Sequence, residues 1–125
     1  MADELILIVE DNEKNLKLAR DVLQFRGFRT LEASTAEQAI ELAAEHLPAL
    51  VLMDYQLPGM NGIDALRVLR ADPATAAIPV VAVTASVMQQ DRKQITEAGF
   101  DAYIGKPINL KEFLDTVRSM LERPR

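Results

Sequence analysis

Asp54 closes the apolar run Leu50-Val51-Leu52-Met53 and opens the turn Tyr55-Gln56-Leu57-Pro58-Gly59. The same arrangement recurs along the chain. Glu10-Asp11 ends Leu5-Ile6-Leu7-Ile8-Val9, Thr84 ends Pro79-Val80-Val81-Ala82-Val83, and Lys106-Pro107 follows Ala102-Tyr103-Ile104. Three carboxylates, one hydroxyl and one ammonium therefore stand just past the ends of buried runs. Groups of these types suit a metal-assisted phosphoryl acceptor. A carboxylate can attack phosphorus directly, and the transfer then depends on positioning and charge stabilisation.

Each piece alone has a plainer reading. Asp or Asn at a strand-to-helix turn often serves only as a helix cap, Asp favours turns in general, and Thr is a good strand residue. Convergence gives the set its weight. Carboxylates brought together repel and raise one another's proton affinity, and a cation relieves this. Hard oxygen donors select Mg2+, with Mn2+ able to substitute, and Mg2+ takes one or two carboxylates, a backbone oxygen and several waters. On this reading Asp11 and Asp54 are direct ligands, Glu10 acts through water, and the carbonyl of Gln56 completes the protein share. Three negatives from Glu10, Asp11 and Asp54 would meet three positives from Mg2+ and Lys106. Asp54 is the nucleophile, and Thr84 and Lys106 take up the charge that the phosphoryl group adds. Ala85 is small enough to leave a donor room, and the X-Pro turn at Pro107 restricts the direction of Lys106.

The elements that must hold these groups alternate. Strands are expected at Leu5–Val9, Thr30–Ala33, Leu50–Met53, Val80–Val83 and Ala102–Ile104, the second weaker and at an edge. Continuous apolar runs of this kind belong to strands covered on both faces. Between them lie helical patterns. Leu16, Ala19 and Leu23 share a face of the first helix, which Gly27 stops. Ser34 with Glu37 reads as a capping box for the second, with Ala36, Ile40 and Ala43 inward and Pro48 at its end. Asn61 begins the third, carrying Ile63, Leu66 and Leu69 and ended by Asp72-Pro73. The fourth covers roughly residues 87–98 and ends at Gly99. Asn109 caps the fifth, with Leu110, Phe113, Val117 and Leu121 on its buried side. The fold class is α/β, a doubly wound five-stranded parallel sheet with five helices and right-handed crossovers. The order 2-1-3-4-5 is taken from sheets of this class, where ligands bind beyond the carboxyl ends at the point of order reversal. That point falls between the first and third strands, beside Glu10-Asp11 and Asp54.

At 125 residues the sequence is expected to form one domain, residues 1–125, with no room for an output domain. A net charge of -5 and no basic run longer than a pair argue against direct nucleic-acid binding. Cysteine is absent, which removes disulfides and thiolate metal sites. The start Met1-Ala2-Asp3-Glu4 is acidic where a secretory signal is basic, and Leu5–Val9 is far short of a membrane span. No membrane insertion and a cytoplasmic location are expected. His46, the single histidine, falls near a helix end and reads as a surface residue favourable to the helix dipole.

Glu10-Asp11, Asp54, Thr84 and Lys106-Pro107 resemble, in order and type, the signature positions of the response-regulator receiver domain. Val9-Glu10-Asp11-Asn12 is similar to single-domain regulators of the DivK type and to receivers attached to hybrid kinases. The resemblance covers essentially the whole chain. It implies two-component signalling in which Asp54 takes phosphate from a phosphohistidine of a histidine kinase or histidine phosphotransfer protein. It implies further that Thr84 moves toward the phosphoryl group while Tyr103 turns inward, remodelling the face of the fourth helix, fifth strand and fifth helix. That face would meet a downstream protein target or a second copy in a homodimer. Gln56 and Ser86 occupy positions that tune dephosphorylation in the family. A receiver of this kind assists its own phosphorylation without being a turnover enzyme.

Three other readings compete. A small flavin-binding protein needs Gly, Ser or Thr with free N–H groups in the first turn, where Glu10-Asp11-Asn12-Glu13 stands. A phosphatase with an aspartyl intermediate needs a second carboxylate where Gln56 stands. A phosphorylation-independent interaction module would have no use for the complete acidic, Thr and Lys set.

Overall fold

The structure, a computed structural model, describes residues 3–57, 59–85 and 89–122. Five parallel strands, β1 (Leu5–Val9), β2 (Arg29–Ala33), β3 (Leu50–Asp54), β4 (Val80–Thr84) and β5 (Ala102–Gly105), lie in the order β2-β1-β3-β4-β5. Five helices connect and follow them: α1 (Glu13–Phe25), α2 (Ala36–His46), α3 (Gly62–Ala71), α4 (Gln89–Ala98) and α5 (Leu110–Glu122). The expected architecture and strand order are both present. Pro58, Ser86 and the expected first residues of the fourth helix, 87 and 88, lie outside the described residues.

Side chains of successive strand residues point to opposite faces, and the apolar runs use both. Leu7, Val9, Val51, Met53, Val80 and Ala82 join Ala36, Ala39, Ala43, Ala65, Leu66, Leu69 and Ile95 in a core under α2, α3 and α4. Ile6, Ile8, Leu50, Leu52, Val81 and Val83 join Ala19, Leu23, Phe113, Leu114 and Val117 under α1 and α5. The central strands β3 and β4 are buried at every position, so each apolar run is one residue of core per face, repeated. The last residues of both, Asp54 and Thr84, are polar and still inside the strand.

Two local expectations need correction. The N-cap of α2 is Thr35, whose Oγ1 accepts the Gln38 N–H at 3.1 Å; the Ser34 N–H instead donates to Gln38 Oε1 at 3.0 Å. Two hydroxyl residues in succession offer two registers, and the second buries Ala36 fully in the first turn. Leu110 is 53% exposed, and the buried side of α5 is Phe113, Leu114, Val117 and Met120. Leu110 instead lines an open apolar groove with Val22 and Phe25 of α1. The other caps stand as expected: Asn61 accepts the Asp64 N–H at 2.9 Å and Asn109 accepts the Glu112 N–H at 3.1 Å.

Candidate functional site

The site lies where the strand order reverses, since β1 has β2 on one side and β3 on the other. The chain leaves β1 for α1 on one face of the sheet and leaves β3 for α3 on the opposite face. A crevice opens between the two exits, as doubly wound sheets require. Glu10 follows β1, its N–H donating to the Ala33 carbonyl at 2.9 Å as if continuing the ladder. Asp54 ends β3, and the Tyr55 N–H donates to the Val83 carbonyl at 2.9 Å. Lys106 follows β5, its N–H donating to the Thr84 carbonyl at 2.8 Å. Backbone ladders thus fix the starting directions of Glu10, Asp54, Thr84 and Lys106.

Glu10, Asp54 and Thr84 are buried, whereas Asp11 is exposed at the mouth. Carboxylate oxygens of Glu10, Asp11 and Asp54 lie within 4.8 Å of one another. Lys106 Nζ reaches Glu10 Oε1 at 2.9 Å and Asp54 Oδ2 at 3.3 Å. The other oxygens of Glu10 and Asp54 have backbone donors: Asn12 N–H to Glu10 Oε2 at 3.2 Å and Gln56 N–H to Asp54 Oδ1 at 3.0 Å. Burial raises the Glu10 pKa and the Asp54 carboxylate adds to the rise, against the opposing pull of Lys106 and the Asn12 N–H. For Lys106, burial works downward, but Glu10 and Asp54 together outweigh it and the net shift is upward. Two buried carboxylates share one ammonium. The donor set is all hard oxygen, it keeps a surplus of negative charge, and one member faces solvent, so it fits a divalent cation of the Mg2+ type.

Residues 6–118 match the response regulator receiver domain family. The chain belongs to that family. The receiver is 43% identical over 116 residues to the polar-differentiation response regulator DivK of Brucella ovis, covering 93% of this chain and 94% of that one. Its fold superimposes on a response regulator from Chloroflexus aurantiacus with a TM-score of 0.92 at 27% identity, covering 97% and 99% of the two chains. It also superimposes on the receiver domain of a sensor histidine kinase from Pseudomonas aeruginosa, with a TM-score of 0.90, 30% identity and coverage of 98% and 100%. That domain is described with a magnesium ion coordinated in its active-site cleft. The receiver is thus a component of two-component signal transduction, and receivers of its family bind Mg2+ in the active site. No described helix is long and apolar enough to cross a membrane.

The receiver brings Glu10, Asp11, Asp54 and Lys106 into one cluster, with Thr84 bonded through its carbonyl to Lys106. Tyr103 lies apart from that cluster, 37% exposed, with the Arg92 guanidinium 5.5 Å from its ring centroid. The flavin reading fails on the family and also on the first turn, where the Asn12 N–H is already taken by Glu10. Sequence reasoning passed over Gly62 and Tyr55. A Cβ at Gly62 would stand 3.2 Å from both the Asp54 carbonyl oxygen and Tyr55 Cα, so the first turn of α3 packs directly on the turn after Asp54. The available signal was a glycine inside a first helical turn, where it costs helix stability without a packing reason. Tyr55 had no such signal.

Proposed function

We propose that Asp54 is the phosphoacceptor of this receiver, taking a phosphoryl group from a phosphohistidine of a histidine kinase or histidine phosphotransfer protein. The observation that carries the reading is the cluster itself. Asp54 is buried, its two oxygens are held by Lys106 Nζ and the Gln56 N–H, and two further carboxylates stand beside it. Asp11, Asp54 and the Gln56 carbonyl would hold Mg2+ directly, and Glu10, buried and paired with Lys106, would act through water. The metal supplies charge neutralisation and a fixed geometry for the phosphoryl oxygens.

Asp54 Oδ attacks phosphorus, the P–N bond to the donor imidazole breaks, and an acyl phosphate forms on Asp54. Lys106, already poised between Glu10 and Asp54, exchanges part of that contact for the new phosphoryl oxygens. Thr84, buried at the end of β4, supplies a hydroxyl for the same charge. Exposed Ala85 beside it leaves the mouth open to a donor side chain. Thr84 and Tyr103 then carry the change to the face formed by α4, β5 and α5, which meets a downstream protein or a second copy. The group transferred ends on the protein, so the receiver is a switch without turnover of an external substrate. The setting is the cytoplasm.

Transfer of radiolabel from a phosphorylated histidine phosphotransfer protein tests this. Label should leave the donor, appear on this chain and be discharged by hydroxylamine, as an acyl phosphate is. Label on Asp54→Asn at the parent's rate would overturn the assignment.

A further inference from the structure

Over its described side chains, helix α4 has a thin hold on the sheet. Among its described side chains from Arg92 to Ala98, Ile95 alone is fully buried; Arg92, Lys93, Gln94, Thr96 and Glu97 are exposed. Two tyrosines reach it, one from β5 and one from the turn after β3. Tyr103 of β5 meets Arg92, while Tyr55, the residue after Asp54, donates its hydroxyl to Gln94 Oε1 at 3.2 Å. The Tyr55 ring also packs edge-on against Phe100, just past the end of α4, with centroids 6.2 Å apart and planes at 71°.

Tyr55 is also the link between the two groups that define the acceptor turn. On one side is the Asp54 carboxylate; on the other is Gln56, whose N–H donates to Asp54 Oδ1 at 3.0 Å. The Tyr55 N–H is tied to Val83, and the first turn of α3 runs beside its Cα, with Gly62 at the point where a Cβ would stand only 3.2 Å away. A backbone held at its own N–H and, through its side chain, at Gln94 and Phe100 has few ways to rotate. Rotation about Tyr55 would swing the peptide that carries the Gln56 N–H off Asp54 and would redirect the next peptide, whose Gln56 carbonyl would serve the metal.

We propose that Tyr55 is a positioning residue of the acceptor turn, and that its hydroxyl bond to Gln94 makes the placement of α4 a determinant of metal binding at Asp54. The inference rests on the reading of Asp54 as the acceptor. It adds a route between α4 and the site that runs through β3 and is separate from the one through Thr84 and Tyr103. Coupling of this kind is reciprocal, so a partner that moves α4 and Mg2+ bound at the site each alter the affinity for the other.

A double-mutant cycle tests it with Tyr55→Phe, Gln94→Ala and the pair together. Each removes the hydroxyl bond while keeping the ring on Phe100. Two quantities are read in each protein: hydrogen exchange of the Gln56 amide without metal, and the Mg2+ dissociation constant from titration. One neutral hydrogen bond corresponds to about a two- to tenfold effect. We expect each single variant to lose protection at Gln56 and Mg2+ affinity within that range, and the pair to lose no more than either alone. Mg2+ affinity equal to the parent in all three overturns the proposal, as does a double variant whose losses multiply. If the parent itself takes no Mg2+, the acceptor reading fails, and the Gln56 amide alone then decides whether Tyr55 and Gln94 fix the turn.

Discussion

Replacing Lys106 with methionine keeps most of the stem volume and removes a cation that bridges two buried carboxylates. Its Nζ stands 2.9 Å from Glu10 Oε1 and 3.3 Å from Asp54 Oδ2, with the three side chains 16%, 6% and 5% exposed. At an effective dielectric of about 20, each contact carries roughly 5 kcal/mol of gross Coulomb energy, most of it offset by desolvation. Breaking such a pair leaves uncompensated buried charge, and about 3 kcal/mol of stability should be lost at neutral pH without metal. For a domain of this size that is a fall of roughly 10 °C in Tm.

The loss should depend on pH. Glu10 already has a raised pKa, and without Lys106 it rises further. A raised carboxyl pKa favours the folded state below the unfolded value of 4.5 and is lost as a benefit when pH climbs through the folded value. The deficit of Lys106→Met should therefore be small near that unfolded value and full at neutral pH. Mg2+ should recover much of it, and should bind the variant more tightly than the parent because a competing positive charge is gone. Circular-dichroism melts at acid and neutral pH, with and without Mg2+, measure all of this. A deficit equal at both pH values and indifferent to Mg2+ would refute the reasoning and leave only lost packing of the lysine stem.

Three further outcomes are expected. The raised pKa of Lys106 means its stabilisation is complete below the unfolded value of 10.5 and fades as pH rises through the folded value, so alkaline melts of the parent should show a decline that Lys106→Met lacks. Gly62→Ala should lose about 1 kcal/mol in urea unfolding despite the better helix former, because its Cβ meets backbone that is bonded to Val83 and Asp54 and has no way to retreat. Arg70→Ala removes bonds to the Ala76, Ile78 and Gly99 carbonyls and the 2.8 Å pair with Asp101, which also holds the Val80 N–H. It should cost about 2–3 kcal/mol in the same assay, yet leave phosphoryl acceptance intact, since this network sits at the amino end of β4.

Much of the site was legible because of the sheet. A strand covered on both faces reads as an unbroken apolar run, so the first polar residue after it marks the carboxyl end where ligands bind. Asp54, Thr84 and Glu10 all announced themselves this way. Strand order was not legible from the runs, which look alike whichever neighbour they pair with. Adjacent choices also defeated the reading: Ser34 and Thr35 both suit an N-cap, and only the burial of Ala36 selects Thr35. Leu110 keeps the apolar period of α5 while facing the α1 groove, because sequence periodicity does not say where a helix leaves its sheet. Tyr55 was silent for a deeper reason. Its partners, Gln94 and Phe100, are brought to it by the packing of α4, and no local pattern encodes that contact.

On the proposed reading, Asp54 accepts a phosphoryl group with the help of a divalent cation. Intact-protein mass after incubation with acetyl phosphate, with and without Mg2+ and beside Asp54→Asn, tests it most directly. A single added phosphoryl group that requires Mg2+ and is absent from the variant is expected. No adduct on the parent in the presence of Mg2+, or an equal adduct on Asp54→Asn, would contradict it.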